Sequence, residues 1–536
     1  MAACYAALAI RELVDQICDE IMSHPSPLHP CFSRPKDFLA SPSARSTCAA
    51  LARSGKIFTE SASCALWKRQ NCLEPFLRLF PSDLLRPPTT SDAQKAAGDT
   101  TVWKLLRPLN TTDFARPSIY AFRVRELFFD SPAWEPVSHA ISIISMCSPG
   151  SFLLPRLRVL TIISPHEPPE VTTLRTFFPP TLKRVNLSWK ATIATTSILA
   201  VLGELCPDLT DVHIFFLADA DDALAGATVS HAVCTLHHLV SVSICAPLVK
   251  AVLHLGQLST LTTLSLRALS FAIHPIPSTS CSLFRFLRDL TLSNMGIEQA
   301  TAFLLLCCSS PLSSFRTPLL HYSDASTPAQ VEALYDALVV ACAPGSLQTL
   351  ELQLNGVAIA AQPMTMDKSM LSKLTRFSNL TTLIISGPFA FDLNDDDVFE
   401  LVVAWPSMTH LDFSPDYACD IPPSVTLQSL QTLAERCTQL SSLSLNLDAT
   451  AIPSPPPRRI VNHSLSDISV CSSSNISDPV AVARFLAGLC PNLDTIWTAI
   501  DNTEEVEDDW DAVAIERHER WKQVERLLPA SLWVGL

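Results

Sequence analysis

The sequence predicts an α/β fold in which short parallel strands alternate with helices, preceded by a small helical module at the N-terminus. Three observations predict this fold. A short leucine motif recurs along most of the chain, amphipathic segments lie between its copies, and proline closes several of those segments. Strands that alternate regularly with helical segments are typical of a parallel sheet.

The recurring motif is Leu-x-x-Leu-x-Leu, and its clearest copy spans Leu261–Leu266. Strict copies also begin at residues 287, 347 and 440, and looser aliphatic copies begin at residues 157, 182, 209, 239, 380, 408 and 465. A degenerate copy lies at Leu312/Phe315, a weak first copy at Val124/Leu127, and a last copy begins at Leu493. From 157 to 493 the chain advances 336 residues in twelve steps, a mean period of 28, which is that of a leucine-rich repeat.

The physics of the motif explains why it repeats. Its last residues alternate apolar and polar, as in a half-buried strand, so the leucines point inward and the residues between them point outward. One such unit cannot bury its own apolar face, whereas stacked units share a continuous core. We therefore expect a curved solenoid over residues 102–510, with the parallel sheet on its concave face.

The segments between the motifs predict the helices. Amphipathic patterns cover residues 197–206, 300–308, 331–342, 397–404, 427–437 and 478–490. Several of them end in Cys-Pro or Trp-Pro, as at Cys206-Pro207, Cys490-Pro491 and Trp405-Pro406. Proline cannot continue a helix, so it provides a stop before the next strand.

The composition favours an intracellular protein. Hydrophobic residues make up 48% of the chain, but the longest apolar run, Ala300–Cys308, is far shorter than the about 20 residues needed to cross a bilayer. The N-terminus has no basic segment of the kind that opens a secretory signal. The 18 cysteines are scattered, and Cys206, Cys342, Cys437 and Cys490 recur at helix ends, which predicts buried free thiols. We expect a cytoplasmic or nuclear location and no membrane association.

The charge argues against a nucleic-acid partner. The formal net charge is −14, and part of the excess lies in Glu504–Asp511. No dense run of lysine and arginine occurs in the sequence, and nucleic-acid binding requires a basic stripe.

The first 80 residues have a different pattern. Residues 8–21, 43–53 and 56–68 predict three short helices, with a proline-rich loop at 23–43 between the first two. A linker at 81–101 leads into the repeats. Residues 511–536 contain a final amphipathic helix, which we expect to shield the open end of the repeats.

The helical module resembles an F-box. Leu8-Ala9-Ile10-Arg11-Glu12-Leu13-Val14-Asp15-Gln16-Ile17 is similar to the family's opening Leu-Pro-x-Glu-Leu-x-x-x-Ile. Leu51–Phe58 resembles the second half of the family motif, and Ala65-Leu66-Trp67-Lys68 resembles its Leu-Trp close. Residues 5–80 carry the resemblance, which is strongest to fungal F-box-like proteins with degenerate leucine-rich repeats.

The resemblance implies a substrate receptor of a Skp–cullin–F-box ubiquitin ligase. The helices would bind a Skp-type adaptor, and through it a cullin, while the repeats hold a protein substrate. The candidate adaptor-binding residues are Leu8, Ile10, Leu13, Ile17, Leu51, Phe58, Leu66 and Trp67. Each could instead pack the three helices together or against the repeats. The opening proline of the family is absent and the loop is long, which favours an alternative: a repeat scaffold whose N-terminal helices only cap the solenoid.

The outward strand residues form the candidate substrate surface. The motif register assigns these residues to it: Asp211, His213, Phe215, Arg267, Glu351, His410 and Asp412. Trp189 is added to them for its aromatic side chain. Most outward positions are small or polar. Trp189 and Phe215 differ from them, because aromatic side chains often anchor interfaces.

The sequence offers no constellation for catalysis, a metal or a cofactor. Asp219, Asp221 and Asp222 lack the glycine and glutamate of a calcium loop, and His237-His238 has no ligand at metal spacing. Asp395-Asp396-Asp397 precedes a helix, where acidic groups favour the positive N-terminus. No Walker loop, dinucleotide fingerprint or nucleophile elbow occurs. We expect a protein that is not an enzyme and needs no cofactor.

Overall fold

A computed structural model gives the structure of the chain. It describes residues 10–23, 41–88, 102–130, 134–164, 171–216, 222–269, 283–308, 310–321, 328–355, 364–387, 389–415, 422–454, 461–471, 473–502 and 512–528. The chain forms two compact units, Met1–Leu261 and Thr262–Leu536.

The first unit begins with three helices, α1 (Arg11–Ile21), α2 (Pro42–Ser54) and α3 (Lys56–Lys68). The Ser41 hydroxyl accepts a hydrogen bond from Ala44 N and so caps α2. A small core joins the helices through the buried side chains of Val14, Cys18, Cys48, Ala62 and Ala65. The predicted proline-rich loop and the start of the first predicted helix lie largely outside the described residues.

Six parallel strands follow among the described residues of the first unit, in the order β1, β4, β5, β6, β7 and β8. Their bounds are Arg69–Gln70, Glu126–Asp130, Val159–Ser164, Arg184–Trp189, Asp211–Phe216 and Ser241–Cys245. The weak motif copy at Val124/Leu127 is therefore a real strand. The strand β1, directly after α3, has no motif in the sequence and was not anticipated.

Short helices connect these strands. They are α4 (Glu74–Leu77), α5 (Ala115–Ala121), α6 (Ser138–Cys147), α7 (Val171–Arg175), α8 (Ile193–Ala200), α9 (Leu202–Leu205), α10 (Asp222–Cys234) and α11 (Val249–Gln257). The helix predicted at 197–206 is thus two helices, and the first begins earlier. Thr192 caps α8 through a reciprocal pair of hydrogen bonds with Thr195, which sets the earlier start.

The predicted linker at 81–101 begins inside the folded unit. An antiparallel pair joins β2 (Leu85–Arg86) to β3 (Lys104–Leu105), and Leu84 and Leu85 are buried. Residues 89–101 lie outside the described part. The described start of the linker is therefore part of the core.

In the described part of the second unit, nine parallel strands belong to the long sheet, in the order β9, β10, β11, β12, β14, β16, β17, β19 and β21. Their bounds are Thr263–Arg267, Asp289–Ser293, Ser314–His321, Thr349–Asn355, Thr382–Gly387, His410–Pro415, Ser442–Leu445, Asp467–Val470 and Thr495–Thr498. The degenerate copy at Leu312/Phe315 corresponds to β11. The predicted α/β class with a long parallel sheet is confirmed.

Seven helices of the second unit lie within the described residues. They are α12 (Ile297–Leu306), α13 (Pro328–Ala341), α14 (Lys368–Ser372), α15 (Asp395–Ala404), α16 (Leu427–Arg436), α17 (Pro479–Leu489) and α18 (Ala512–Leu527). The helices predicted from 300, 331, 397, 427 and 478 onward agree with α12, α13, α15, α16 and α17 to within a few residues.

The motif leucines form the core, as the alternation predicted. Leu264 and Leu266 are buried in β9, Leu290 and Leu292 are buried in β10, and the residues between them are half-buried or exposed. The thiols predicted to be buried at helix ends, Cys206, Cys342, Cys437 and Cys490, are all buried and free.

A second set of parallel pairings in the second unit has no counterpart in the sequence analysis. The strand β13 (Met364–Asp367) pairs with β15 (Phe389–Asp392), and β18 (Asp448–Ala449) pairs with β20 (Asn475–Ile476). The first two strands lead to the helix caps Asp367 and Asn394. These short strands position the helix starts of successive repeats.

The last strand of the second unit is covered by α18. Glu525 Oε1 accepts a hydrogen bond from Ile496 N at 3.0 Å, and Lys522 Nζ donates to Ile496 O at 2.8 Å. The buried Trp521 ring donates through Nε1 to Ser474 O. Side chains of α18 therefore form the hydrogen bonds with the β21 backbone that a further strand would otherwise form.

Candidate functional site

The outer face of α1 carries an exposed apolar row. Ile10, Leu13 and Ile17 are 48%, 39% and 43% exposed, and they stand three and four residues apart on one side of the helix. Val14 and Cys18 point the other way into the small core. We call Ile10, Leu13 and Ile17 the apolar row. Leu8, which the sequence assigns to the same surface, lies outside the described residues.

The other predicted adaptor residues have a packing role. Leu51, Phe58 and Leu66 are half-buried against the core of the three helices. The Trp67 ring lies against the Tyr120 ring of α5, with 4.8 Å between the centroids. These four side chains therefore hold the module together or fix it to the sheet that follows. The exposed Ile57 of α3, 54% exposed, was not selected from the sequence.

Ion pairs also fix the helical module within the first unit. Lys68 Nζ lies 2.9 Å from Asp19 Oδ1, and Arg123 Nη2 lies 2.5 Å from Glu60 Oε2. Each pair is partly exposed and contributes at most about 1 kcal/mol. Together with the pairing of β1 and β4, these contacts make the module continuous with the start of the sheet.

One assignment to the substrate surface is wrong. Trp189 is completely buried, because it follows Val185 and Leu187 on the inward side of β6. A strand alternates its side chains strictly, so residues two and four positions apart share a face. Its indole Nε1 has no hydrogen-bond partner in the described structure. Trp189 is therefore a core residue in this structure.

The remaining substrate candidates are accessible on the outward side of the strands. Asp211, His213 and Phe215 are half-buried in β7, and Glu351 and Asp412 are half-buried in β12 and β16, while Arg267 and His410 are exposed. The two units are separate compact bodies. The substrate candidates on β7 and the substrate candidates of the second unit therefore form two separate sets.

In the second unit the register aligns Arg316, Glu351, Ile384 and Asp412 on four successive strands. Arg316 Nε lies 3.7 Å from Glu351 Oε2, and Gln353 Nε2 donates to Glu351 Oε1 at 2.9 Å. Burial raises the pKa of Glu351; Arg316 opposes that rise and the charge of Asp412 adds to it. Burial also raises the pKa of Asp412, against the opposing effect of hydrogen bonds from the Ser414 and Ser444 hydroxyls.

The sequence missed Trp497 as a surface aromatic. It is 43% exposed in β21 and pairs in register with Ser469. The last motif copy, beginning at Leu493, contains the signal, because it places Trp497 between the inward residues Ile496 and Thr498. Trp497 is thus the accessible aromatic side chain at the C-terminal strand.

One acidic cluster of the sequence lies at the start of a helix. Asp395, Asp396 and Asp397 lie in the first turn of α15, where Asn394 accepts from Asp397 N and Asp397 accepts from Asn394 N. The predicted charge role at a helix N-terminus is confirmed. Within the described ranges no group of three or more His, Cys, Asp or Glu side chains could hold a metal. Asp219 and Asp221 lie outside those ranges.

Asp395 also connects two helices. Its carboxylate accepts from Thr426 N at 2.8 Å and from the Thr426 hydroxyl at 2.7 Å, and Thr426 is the cap of the next helix, α16. One side chain therefore serves the N-terminal turns of two successive helices.

None of the described helices is long and apolar enough to span a membrane. Comparison with protein-family models and with curated proteins found no match for this chain.

Proposed function

We propose that the protein is a substrate-recognition subunit of a Skp–cullin–F-box ubiquitin ligase. The apolar row of Ile10, Leu13 and Ile17 carries this proposal. It lies within the segment that resembles the opening of an F-box, and its side chains are exposed while Val14 and Cys18 fill the core. The repeats, as a curved leucine-rich-repeat solenoid, would hold a protein substrate on their outward strand face.

Burial of the apolar row would stabilise a complex. Covering a Leu or Ile side chain is worth about 1.5–3 kcal/mol when it becomes fully buried. Three such side chains on one helix face form a compact apolar surface of the kind that inserts into a partner's groove. The three-helix module has its own small core, so its outer face is available to a partner.

The test is co-purification of the full chain with a Skp-type adaptor. We expect the parent chain to retain the adaptor and the variant Ile10→Ser/Leu13→Ser/Ile17→Ser to retain at least tenfold less. The matched control is Met146→Ser/Ile193→Ser/Val249→Ser, which changes three exposed apolar residues on α6, α8 and α11. Circular dichroism verifies that all three chains are folded.

Adaptor binding by the triple variant of α1, or no binding by the parent chain, contradicts the proposal. Point variants are preferable to removal of residues 1–80. That deletion also removes β1 and the buried Phe76, Leu77 and Phe80, and so exposes the start of the sheet.

The alternative function is a protein-binding scaffold whose N-terminal helices cap the repeats. The packing of Trp67 on Tyr120 and the pairing of β1 with β4 favour it, because both join the helices to the sheet. The same experiment separates the two functions. A scaffold retains no adaptor, and its α1 variant behaves like the control.

A further inference from the structure

Two buried cysteines lie side by side where α1 packs on α2. Cys18 belongs to α1 and Cys48 lies at the middle of α2, and neither side chain is exposed to solvent. Their two thiols share a hydrogen bond. Cys48 Sγ also donates to Ala62 O of α3 at 3.6 Å. The two sulfur atoms are therefore neighbours in the small core of the three helices, and we call Cys18 and Cys48 the thiol pair.

Helical packing holds the thiol pair in place. Val14 lies one turn before Cys18 on the buried face of α1, and Leu51 lies about one turn after Cys48 and packs against the same core. Twenty-nine residues separate the two cysteines in the sequence, so their spacing alone does not indicate a pair. The contact arises because α1 packs on α2. A covalent bond at this point would link the two helices through their shared core.

Other buried thiols have a different kind of neighbour. Cys206 Sγ donates to Pro179 O at 3.3 Å in the first unit. Cys437 Sγ donates to Trp405 O at 3.4 Å in the second unit. A backbone oxygen can accept a hydrogen bond but cannot take part in thiol–disulfide exchange. Each sulfur of the thiol pair, in contrast, has a second sulfur as its neighbour.

The closed module protects the thiol pair from oxidants. Burial raises the pKa of the Cys18 thiol, and burial raises the pKa of the Cys48 thiol to about 11. The thiolate is the reactive form, so two buried and protonated thiols exchange slowly. A core as small as this one opens locally at a low cost in free energy. Exchange therefore begins when the module opens and is completed when the helices pack together again.

We propose that Cys18 and Cys48 form a reversible disulfide that locks α1 on α2, with a small-molecule disulfide such as glutathione disulfide as the oxidant. One cysteine thiolate attacks a sulfur of glutathione disulfide, whose S–S bond breaks and releases one glutathione thiolate. The other cysteine thiolate attacks the mixed disulfide and releases the second glutathione. The two protein thiols lose two electrons and two protons, and glutathione disulfide is reduced to two molecules of glutathione.

The disulfide would control how often the module opens. Closing a loop of about 30 residues favours the folded form by roughly 30- to 1,000-fold. Because α1 carries the apolar row on its other face, the lock fixes that row on a helix that stays in the module. In a reducing compartment such a disulfide is transient and senses the redox state. This inference goes beyond the proposed function, because the disulfide forms without an adaptor.

The experiment uses the full chain with the changes Cys4→Ser/Cys31→Ser. These changes remove two cysteines outside the described residues that could compete with the thiol pair. The chain is equilibrated in glutathione buffers from fully reducing to fully oxidising, quenched by alkylation and digested. Mass spectrometry measures the peptide in which Cys18 and Cys48 are linked. We expect this peptide to be the major form of both cysteines in the oxidising buffer and to disappear in the reducing buffer.

Hydrogen exchange in α1 is the second measurement. We expect the amides of α1 to exchange at least tenfold more slowly in the oxidised chain than in the reduced chain, and Cys48→Ala should abolish this difference. The matched control, Cys206→Ala, removes another buried thiol of the first unit and should leave the difference unchanged. Circular dichroism verifies that each variant is folded. The comparison of oxidised and reduced parent chain needs no further substitution, so it decides the question even if Cys48→Ala does not fold.

Three results would each overturn the inference. They are the absence of the linked peptide in the oxidising buffer, glutathione that stays attached to Cys18 or Cys48 as the major product, and a linked peptide without slower exchange in α1. A redox response that persists in Cys48→Ala also contradicts it. These measurements contain no adaptor, so their failure is distinguishable from failure of the ligase proposal.

Discussion

Asp412 shows how a single outward residue can oppose folding. Its carboxylate is half-buried on β16, in register with Ile384, and the Ser414 and Ser444 hydroxyls are its hydrogen-bonding neighbours. Burial outweighs these hydrogen bonds and raises its pKa. The charged form is therefore less favourable in the folded protein than in the unfolded chain.

This environment predicts a specific pH dependence. A raised folded-state pKa lowers stability above that pKa, and the penalty disappears as pH falls towards the ordinary pKa of an aspartate. We therefore expect Asp412→Asn to raise the free energy of unfolding, relative to the parent, more at pH 7 than at pH 4. Urea unfolding at both pH values measures this difference.

The control is Asp396→Asn, an exposed acidic residue of α15. We expect it to show a smaller change in relative stability between the two pH values. If Asp412→Asn were stabilised relative to the parent more at pH 4 than at pH 7, that result would contradict the raised pKa of Asp412.

At the scale of elements, helices bury apolar side chains and cover the exposed edge of the final strand. One face of α1 fills a core while the other carries the apolar row. At the opposite end of the sequence, α18 supplies hydrogen-bond partners to β21, the final strand in the sheet of the second unit. An exposed strand edge invites pairing with another chain, so this cover has a protective role.

Glu525→Ala is therefore expected to destabilise the C-terminal edge. It leaves Ile496 N without its partner, at a cost of about 1–3 kcal/mol for an unsatisfied buried group. Thermal unfolding measures the loss of stability, and light scattering reports self-association. The exposed Glu519 of the same helix provides the control, Glu519→Ala, for which we expect no more than about 0.5 kcal/mol. Equal effects of the two substitutions would show that the carboxylate does not protect the edge.

At the scale of the whole molecule, repeats confine the effects of a substitution. Each repeat contacts its neighbours, so a loss of packing should remain local. Leu290 is fully buried in β10, between β9 and β11. We expect Leu290→Ala to cost about 2–5 kcal/mol and to increase amide hydrogen exchange mainly in β9, β10 and β11.

The control for this substitution is Thr291→Ala, at the adjacent outward position. It should change hydrogen exchange little. Uniformly increased exchange in β4, β5 and β6 of the first unit after Leu290→Ala would show global rather than local unfolding.

Much of the fold and part of the candidate site could be predicted from the sequence. The period of 28 residues located the strands of the long sheet from β4 onward, including the degenerate copy that forms β11, because inward leucines must alternate with outward residues. The same alternation identifies Trp497 as outward and Trp189 as inward. The assignment of Trp189 to the surface was wrong because its aromatic character was given more weight than its register.

The sequence by itself determined the periodic core, the α/β class and the positions of most helices. These properties depend on residues close together in the chain. Only the tertiary structure decided that β1 begins the sheet and that Glu351 and Asp412 lie on either side of Ile384. The physical reason is parallel pairing: it places residues about one repeat apart on strands separated by only about 4.8 Å.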